Sequence, residues 1–328
     1  MSSKILVICE PIRGKADGIQ NHCNDLYNLF LDDKEVDVFK IKDIPYIYLP
    51  LIKKKIANFS KLKNEIKRSE CDIIHIHGFM SIIVVQALFA SILLKKKIIY
   101  SPHFHPFKYL NRPILGKVFF YLFIIPFLFK IDTILTINNE DTSFFSSYHN
   151  NVIKIPHWIK KSIIDSIKNT NKKNMVLFVG RNEENKGLDH LYSLPENKYE
   201  IHCVTNGFLK RTDFIQHTNI DNEELLSLYN NANVVVIPSR YEAFSYVALE
   251  SLTKHTPIVI SDRVRIADHL KNDSSFIVFR YGNYDEFEQS IDRMLETNNM
   301  DFERILSPFK MENIKMAYKK VYNNIMNN

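Results

Sequence analysis

Short apolar runs alternate with helix-period segments along the whole chain. In the first half the strand candidates are residues 4–10, 36–42, 72–78, 97–103, 133–138 and 152–157. In the second half 175–180, 199–205, 234–239, 257–262 and 275–280 keep the same rhythm. Strands that alternate with helices predict an α/β protein with parallel sheets. The first helix shows the period clearly, because Ile19, Cys23, Leu26 and Phe30 fall on one face that can pack on a sheet. Between the two series, residues 160–174 are polar and rich in Lys and Asn, which marks a linker. A chain of 328 residues with 45% hydrophobic composition can bury two cores, so each series is expected to form its own domain.

Residues 114–130 depart from this rhythm, with an unbroken apolar run from Val118 to Phe129 between Lys117 and Lys130. A spanning helix needs about 20 apolar residues. The run is shorter than that, and Pro126 interrupts it. Two readings stay open: a helix buried in the core, or one partly sunk in a bilayer interface.

Charge sharpens the second reading. Residues 1–170 carry 24 Lys and Arg against 15 Asp and Glu, whereas the remainder carries 19 against 22. Lysine triplets at 53–55 and 95–97 contribute much of the basic excess. No zinc finger, RNP motif or helix-turn-helix pattern accompanies it, so nucleic acid is not expected; an anionic membrane surface or a phosphorylated substrate is. Solvated surface lysine is the plain alternative. The opening MSSKILVICE enters a strand-like run directly, the pattern of a chain without a signal peptide. Cys9, Cys23, Cys71 and Cys203 show no framework spacing, which fits reduced thiols in the cytoplasm.

The stretch SRYEAFSYVALE, 239–250, carries the chemistry. It follows a buried-strand pattern, so Glu242 falls in the loop at a strand's carboxyl end and Glu250 on the helix that follows, with Ser245 as its N-cap. Ligands of open α/β sheets bind outside the carboxyl ends of strands. The N–H groups near Phe244, Ser245 and Tyr246 are suited to phosphate, and flanking carboxylates to the hydroxyls of a ribose and a sugar. In FVGRNEENKGL, 178–188, Arg181 and Lys186 open at the same sheet edge, where a guanidinium fork and an ammonium can neutralise a leaving diphosphate.

With those residues in place the chain resembles glycosyltransferase family 4, retaining nucleotide-sugar enzymes of the GT-B fold. The likeness rests on DGIQNH, DIIHIHG and YSPHFHP in the first half, and on VGRNEENKG, PSRYEAFSYVALES and TPIVISD in the second. It implies two Rossmann-like domains whose parallel sheets face a central cleft: residues 1–165 for the acceptor and 170–305 for the donor, with helix 309–326 returning to the first. It also implies that Arg181, Lys186 and Gly180 lie at the donor diphosphate with Phe244, Ser245 and Tyr246. Glu242 meets the donor sugar, Glu250 the ribose, Gly18 the diphosphate from the first domain, and His103 the reacting sugar. The family usually has glycine where this chain has Ala243, Ser245, His255, Val264 and Arg265, and Asn-Gly where it has His157 and Trp158.

No DxD motif is present, so no metal or other cofactor is expected. The implied reaction is transfer to a glycan, lipid-diphosphate-linked, of the O-antigen or capsule type, by a peripheral enzyme at the inner face of the cytoplasmic membrane. Two alternatives remain. One is a metal-dependent hydrolase built on His75-Ile76-His77 and His103-Phe104-His105, whose members would share a face if both lay on strands. The other is a catalytically silent nucleotide-sugar-binding module. The absence of GxGxxG disfavours a dinucleotide dehydrogenase.

Overall fold

A computed structural model of the protein describes residues 3–10, 18–41, 46–49, 54–103, 105, 113–159, 174–270 and 273–327. The loop ahead of Gly18, Lys53, Phe104 and all of the expected linker except Asn174 lie outside them. The chain divides into two compact units, the first of Met1–His157 with Glu312–Asn328 and the second of Trp158–Met311.

The first unit runs β1 (Ser3–Ile8), α1 (Gly18–Leu29), β2 (Val36–Lys40), β3 (Tyr46–Leu49), β4 (Lys54–Ala57), α2 (Phe59–Arg68), β5 (Ile73–His77), α3 (Ile82–Leu93), β6 (Lys97–Ser101), α4 (Pro113–Phe119), α5 (Ile125–Leu128), β7 (Thr133–Thr136), α6 (Asn139–Ser146) and β8 (Val152–Lys154). Its six-stranded sheet has the order β2-β1-β5-β6-β7-β8, with every pairing parallel. The order reverses between β1 and β5. Every residue of β5 is buried, as befits a central strand covered on both faces. The antiparallel hairpin of β3 and β4 has no counterpart among the expected strands.

The second unit runs β9 (Met175–Val179), α7 (Leu188–Tyr192), β10 (Glu200–Val204), β11 (Ile215–His217), α8 (Asn222–Asn231), β12 (Val234–Ile237), α9 (Tyr246–Thr253), β13 (Ile258–Ser261), β14 (Phe276–Phe279), α10 (Tyr284–Glu296) and α11 (Phe302–Leu306). Its sheet order is β11-β10-β9-β12-β13-β14, again all parallel, and it reverses between β9 and β12. The core holds Val176, Phe178, Leu191, Val234, Val236, Val259 and Phe287. Strand β11 escaped the pattern because it is short and polar, with an edge to itself.

The last helix, α12 (Met311–Asn327), belongs to the first unit from Glu312 onward. It buries Ile314, Tyr318, Val321, Tyr322 and Ile325. Lys315 and Lys319 reach Asp33 at 3.0 and 3.3 Å.

The apolar segment has one buried side and one exposed side. Phe120, Ile124 and Leu128 are buried in the first unit's core. Ile114, Leu115, Val118, Tyr121, Leu122, Phe123 and Phe129 are exposed. Between α4 and α5 the backbone widens into a π turn, where Ile125 N–H donates to the Phe120 carbonyl. Pro126 follows at once and has no N–H to donate, so a wider turn accommodates it. Among the described residues no helix is long and apolar enough to cross a membrane.

Candidate functional site

The second unit's sheet reverses between β9 and β12, and the loops that follow these two strands carry Arg181 to Lys186 and Ser239 to Ser245. That is where an open α/β sheet leaves a crevice. Hydrogen bonds tie the loops together. Arg240 N–H donates to the Asn185 carbonyl at 2.8 Å, and Asn185 Nδ2 to the Tyr241 carbonyl at 3.1 Å. Gly187 closes the junction: it adopts φ 72°, and a Cβ there would stand 1.9 Å from the Pro238 carbonyl oxygen.

Lys186 and Glu242 meet in this junction. Lys186 Nζ lies 2.8 Å from Glu242 Oε1, and both side chains are largely withdrawn from solvent. Ser239, itself buried, donates its hydroxyl to the same oxygen at 2.8 Å. Glu242's backbone is held independently, by its own N–H to the Arg263 carbonyl and by Arg265 N–H to its carbonyl. Arg181 sits further out, highly exposed and paired with Glu183 at 3.0 Å.

Helix α9 begins beside them. Ser245 caps it by accepting from Ala248 N–H at 3.3 Å, as its position ahead of the helix predicts. Phe244 is buried against Tyr246, His269 and Phe309, which fixes the approach to the helix. Glu250 lies on the second turn, and its Oε2 accepts from the Tyr229 hydroxyl at 3.0 Å. Gly180 follows β9, next to the Phe178 ring and the Lys186 chain. Ser245 is extended and Val264 has φ −95°, conformations open to any residue. Of the replaced glycines only His255 takes up a left-handed backbone, at φ 56°, just past the end of α9 where glycine is the usual choice.

Gly18 and His103 belong to the first unit. Gly18 opens α1 with nothing within 4 Å of a Cβ position. His103 follows β6 at φ 60°, an uncommon value for a residue with a side chain. Its Nε2 lies 2.9 Å from His77 Nδ1. His22 packs on His77, His103 and His157, with ring centroids 4.6 to 5.5 Å away. His75 completes the stack 4.0 Å from His77 and is held by Ser101 Oγ at 2.8 Å and Tyr322 OH at 3.2 Å. Burial, followed by repulsion from His103, pushes His75 down to about 3. Burial likewise lowers His103 to about 4 and His77 well below the ordinary imidazole value. These rings are neutral at physiological pH.

His22, His77 and His103 each offer a nitrogen within 4.8 Å of the others, the one group among the described residues with metal-ligand spacing. The two expected pairs do not form it. His105 lies past the end of β6, so strand alternation does not govern it, and it packs on Phe144 instead. His22, from α1, takes its place without any spacing signal in the sequence. Ser239 and Tyr229 carry no such signal either: Ser239 falls at the end of the expected strand 234–239, and Tyr229 lies 21 residues before Glu250.

Two family models match the chain. The model described as Glycosyl transferases group 1 matches residues 160–305, and that described as Glycosyltransferase Family 4 matches 17–156. An uncharacterized 41.2 kDa protein in the cps region of Klebsiella pneumoniae is 24% identical over 79% of this chain and 80% of its own length. Sucrose-phosphate synthase from Thermosynechococcus elongatus superposes with a TM-score of 0.72 at 16% identity, covering 99% of both chains. The lipopolysaccharide outer core galactosyltransferase WaaB gives 0.68 at 15%, over 98% of this chain and 99% of its own. Anabaena HepE, in complex with UDP and glucose, gives 0.67 at 12%, over 98% and 100%.

Proposed function

Because this chain belongs to the GT-B glycosyltransferases, whose two family models match its two halves, we propose that it is a retaining enzyme moving a sugar from a nucleoside-diphosphate donor to a glycan. The Lys186–Glu242 pair beside the start of α9 is the observation that carries the reading. Lys186 is held by the Glu242 carboxylate and can turn to an arriving diphosphate, which releases Glu242 for the sugar hydroxyls. Exposed Arg181 closes on the same diphosphate, and the N–H groups at Phe244, Ser245 and Tyr246 add the field of a helix N-terminus. Gly180 lets the phosphates approach the backbone. Glu250 receives the ribose. Gly18 and His103 are the candidate substrate contacts of the first unit.

The charge that grows on the leaving diphosphate is met in this proposal by Arg181, Lys186 and backbone dipoles, without a metal. A glycan on a lipid diphosphate is the proposed acceptor, in assembly of a bacterial surface polysaccharide at the cytoplasmic membrane face. Support comes from the exposed apolar side of α4 and α5, flanked by Lys117 and Lys130, and from the likeness to WaaB. The likeness to sucrose-phosphate synthase is the counterweight, and it makes a soluble acceptor the second outcome of any acceptor screen.

A thermal-shift screen with UDP, GDP and dTDP sugars tests the donor reading. A donor that binds the folded state raises the melting temperature, by about 3 kcal/mol of added stability at a hundredfold excess over Kd. The shift should disappear in Lys186→Ala. A silent protein with no donor shift at all overturns the proposal. The histidine group carries the rival: transfer that is lost on chelation and restored by zinc assigns the chemistry to His22, His77 and His103 instead.

A further inference from the structure

Tyr229 lies outside every motif that marks the donor site. It stands on α8 with its ring fully buried, and is held at both ends. Its carbonyl accepts from Thr256 Oγ1 at 2.7 Å, and its hydroxyl donates to Glu250 Oε2 at 3.0 Å. Thr256 is itself fully buried, and Ser251, on the same helix as Glu250, donates its hydroxyl to the Thr256 carbonyl at 2.8 Å. Two routes therefore join Tyr229 to α9, one through the phenol and one through this pair of hydroxyls.

The arrangement has a direction. A phenol facing a carboxylate must be the donor, since an ionised carboxylate only accepts. Burial, and then the Glu250 charge, push the Tyr229 hydroxyl well above its ordinary pKa, so it stays protonated. A glutamate side chain that a ligand must order gives up rotamer freedom on binding. A fixed donor behind it removes that cost before the ligand arrives.

We propose that Tyr229 is a positioning residue for nucleotide binding, orienting the Glu250 carboxylate to accept the hydroxyls of the donor ribose. The inference rests on the ribose role given to Glu250 above. Tyr229 has no ligand contact in it; the buried hydrogen bond acts through Glu250 alone.

Tyr229→Phe keeps the ring and removes only the donor. Calorimetric titration of the full chain with UDP should show the variant binding about tenfold more weakly, the scale of a hydrogen bond to a charged group. If the screen selects GDP, the GDP pair of probes is used. With 2′,3′-dideoxy-UDP the variant and the unaltered protein should bind alike, because the hydroxyls that Glu250 would accept are gone. Glu250→Gln should show the same pattern, and the two changes together should cost no more than the larger alone. Turnover at saturating donor should change less than KM.

Three results overturn the inference. One is normal UDP binding by Tyr229→Phe while Glu250→Gln binds weakly. Another is equal loss of UDP and dideoxy-UDP, which marks a general distortion. The third is full additivity of the two effects. Normal UDP binding by Glu250→Gln is a separate result, which sinks the ribose assignment itself. Should Tyr229→Phe fail to fold, tyrosine labelled with carbon-13 at Cζ gives a second reading. One buried resonance should respond both to Glu250→Gln and to UDP, and the lack of such a resonance overturns the inference.

Discussion

A methyl group added to Gly187 has nowhere to go, because the Pro238 carbonyl oxygen occupies its place at 1.9 Å and the φ of 72° already disfavours a side chain. The loop after β9 can therefore lie on the loop after β12 only with glycine here, and that closeness is what seats Lys186 against Glu242. Gly187→Ala should cost more than about 2 kcal/mol in a denaturant melt, as a backbone clash at a left-handed position. In whatever folds, turnover should fall as in Lys186→Ala, by on the order of a hundredfold. An alanine variant with unaltered stability and turnover would remove the junction from the mechanism. Glu242→Ala should damage transfer most, while Glu250→Ala should chiefly weaken nucleotide affinity; identical defects in KM and kcat would leave the two carboxylates without separate roles.

Among the elements, the α4–α5 segment shows what periodicity alone leaves open. Its residues are apolar all round, so no polar face announces which side turns outward. The core takes Phe120, Ile124 and Leu128, and the opposite side is left apolar and exposed. Such a face beside Lys117 and Lys130 suits the surface of an anionic bilayer. The lysine triplet at 95–97 serves this less than its composition suggests, since Lys96 donates to the Cys71 carbonyl at 2.7 Å and Lys97 pairs with Asp132 at 3.5 Å. Flotation with anionic liposomes should carry the protein up, and Leu122→Glu with Phe123→Glu should leave it at the bottom. Salt should weaken the binding only in part, because the apolar contribution is not screened. Equal behaviour of the double variant and the unaltered protein would detach this face from any membrane role.

At the scale of the whole chain, the last helix is tied to the first unit through Asp33. Burial alone would raise this carboxyl, but hydrogen bonds from Lys315, the Glu35 backbone and Lys319 outweigh it and hold the value at about 2. The folded value lies below the unfolded one, so the stabilisation is fully present above about pH 5 and is lost as pH falls toward 2. Asp33→Asn should lose about 2 kcal/mol at pH 7, and the gap to the unaltered protein should be roughly halved near pH 3. A gap that stays constant over this range would show that the lysines do not act on the Asp33 charge. The same helix reaches the imidazole stack, where Tyr322 OH lies 3.2 Å from His75 Nδ1.

The sequence by itself determined the alternation of strand and helix, the parallel class of both sheets, the Ser245 cap, the pair of loops that carry Arg181, Lys186 and Glu242, and the helix that carries Glu250. Each follows from local chemistry: apolar runs of strand length, a hydroxyl ahead of a helix, charged residues at strand ends. Only the tertiary structure decided what these groups touch. That Lys186 pairs with Glu242 depends on β9 and β12 being neighbours in the sheet although 54 residues separate Val179 from Val234. Tyr229 became the partner of Glu250 through the packing of α8 on α9, and such a bond leaves no periodicity in the chain; Ser239, three residues from Glu242, reaches it through the turn of their shared loop. His22 joined His77 and His103 because the first sheet reverses between β1 and β5. Strand order is a long-range choice set by which faces bury together, and a one-dimensional pattern of polar and apolar residues does not contain it.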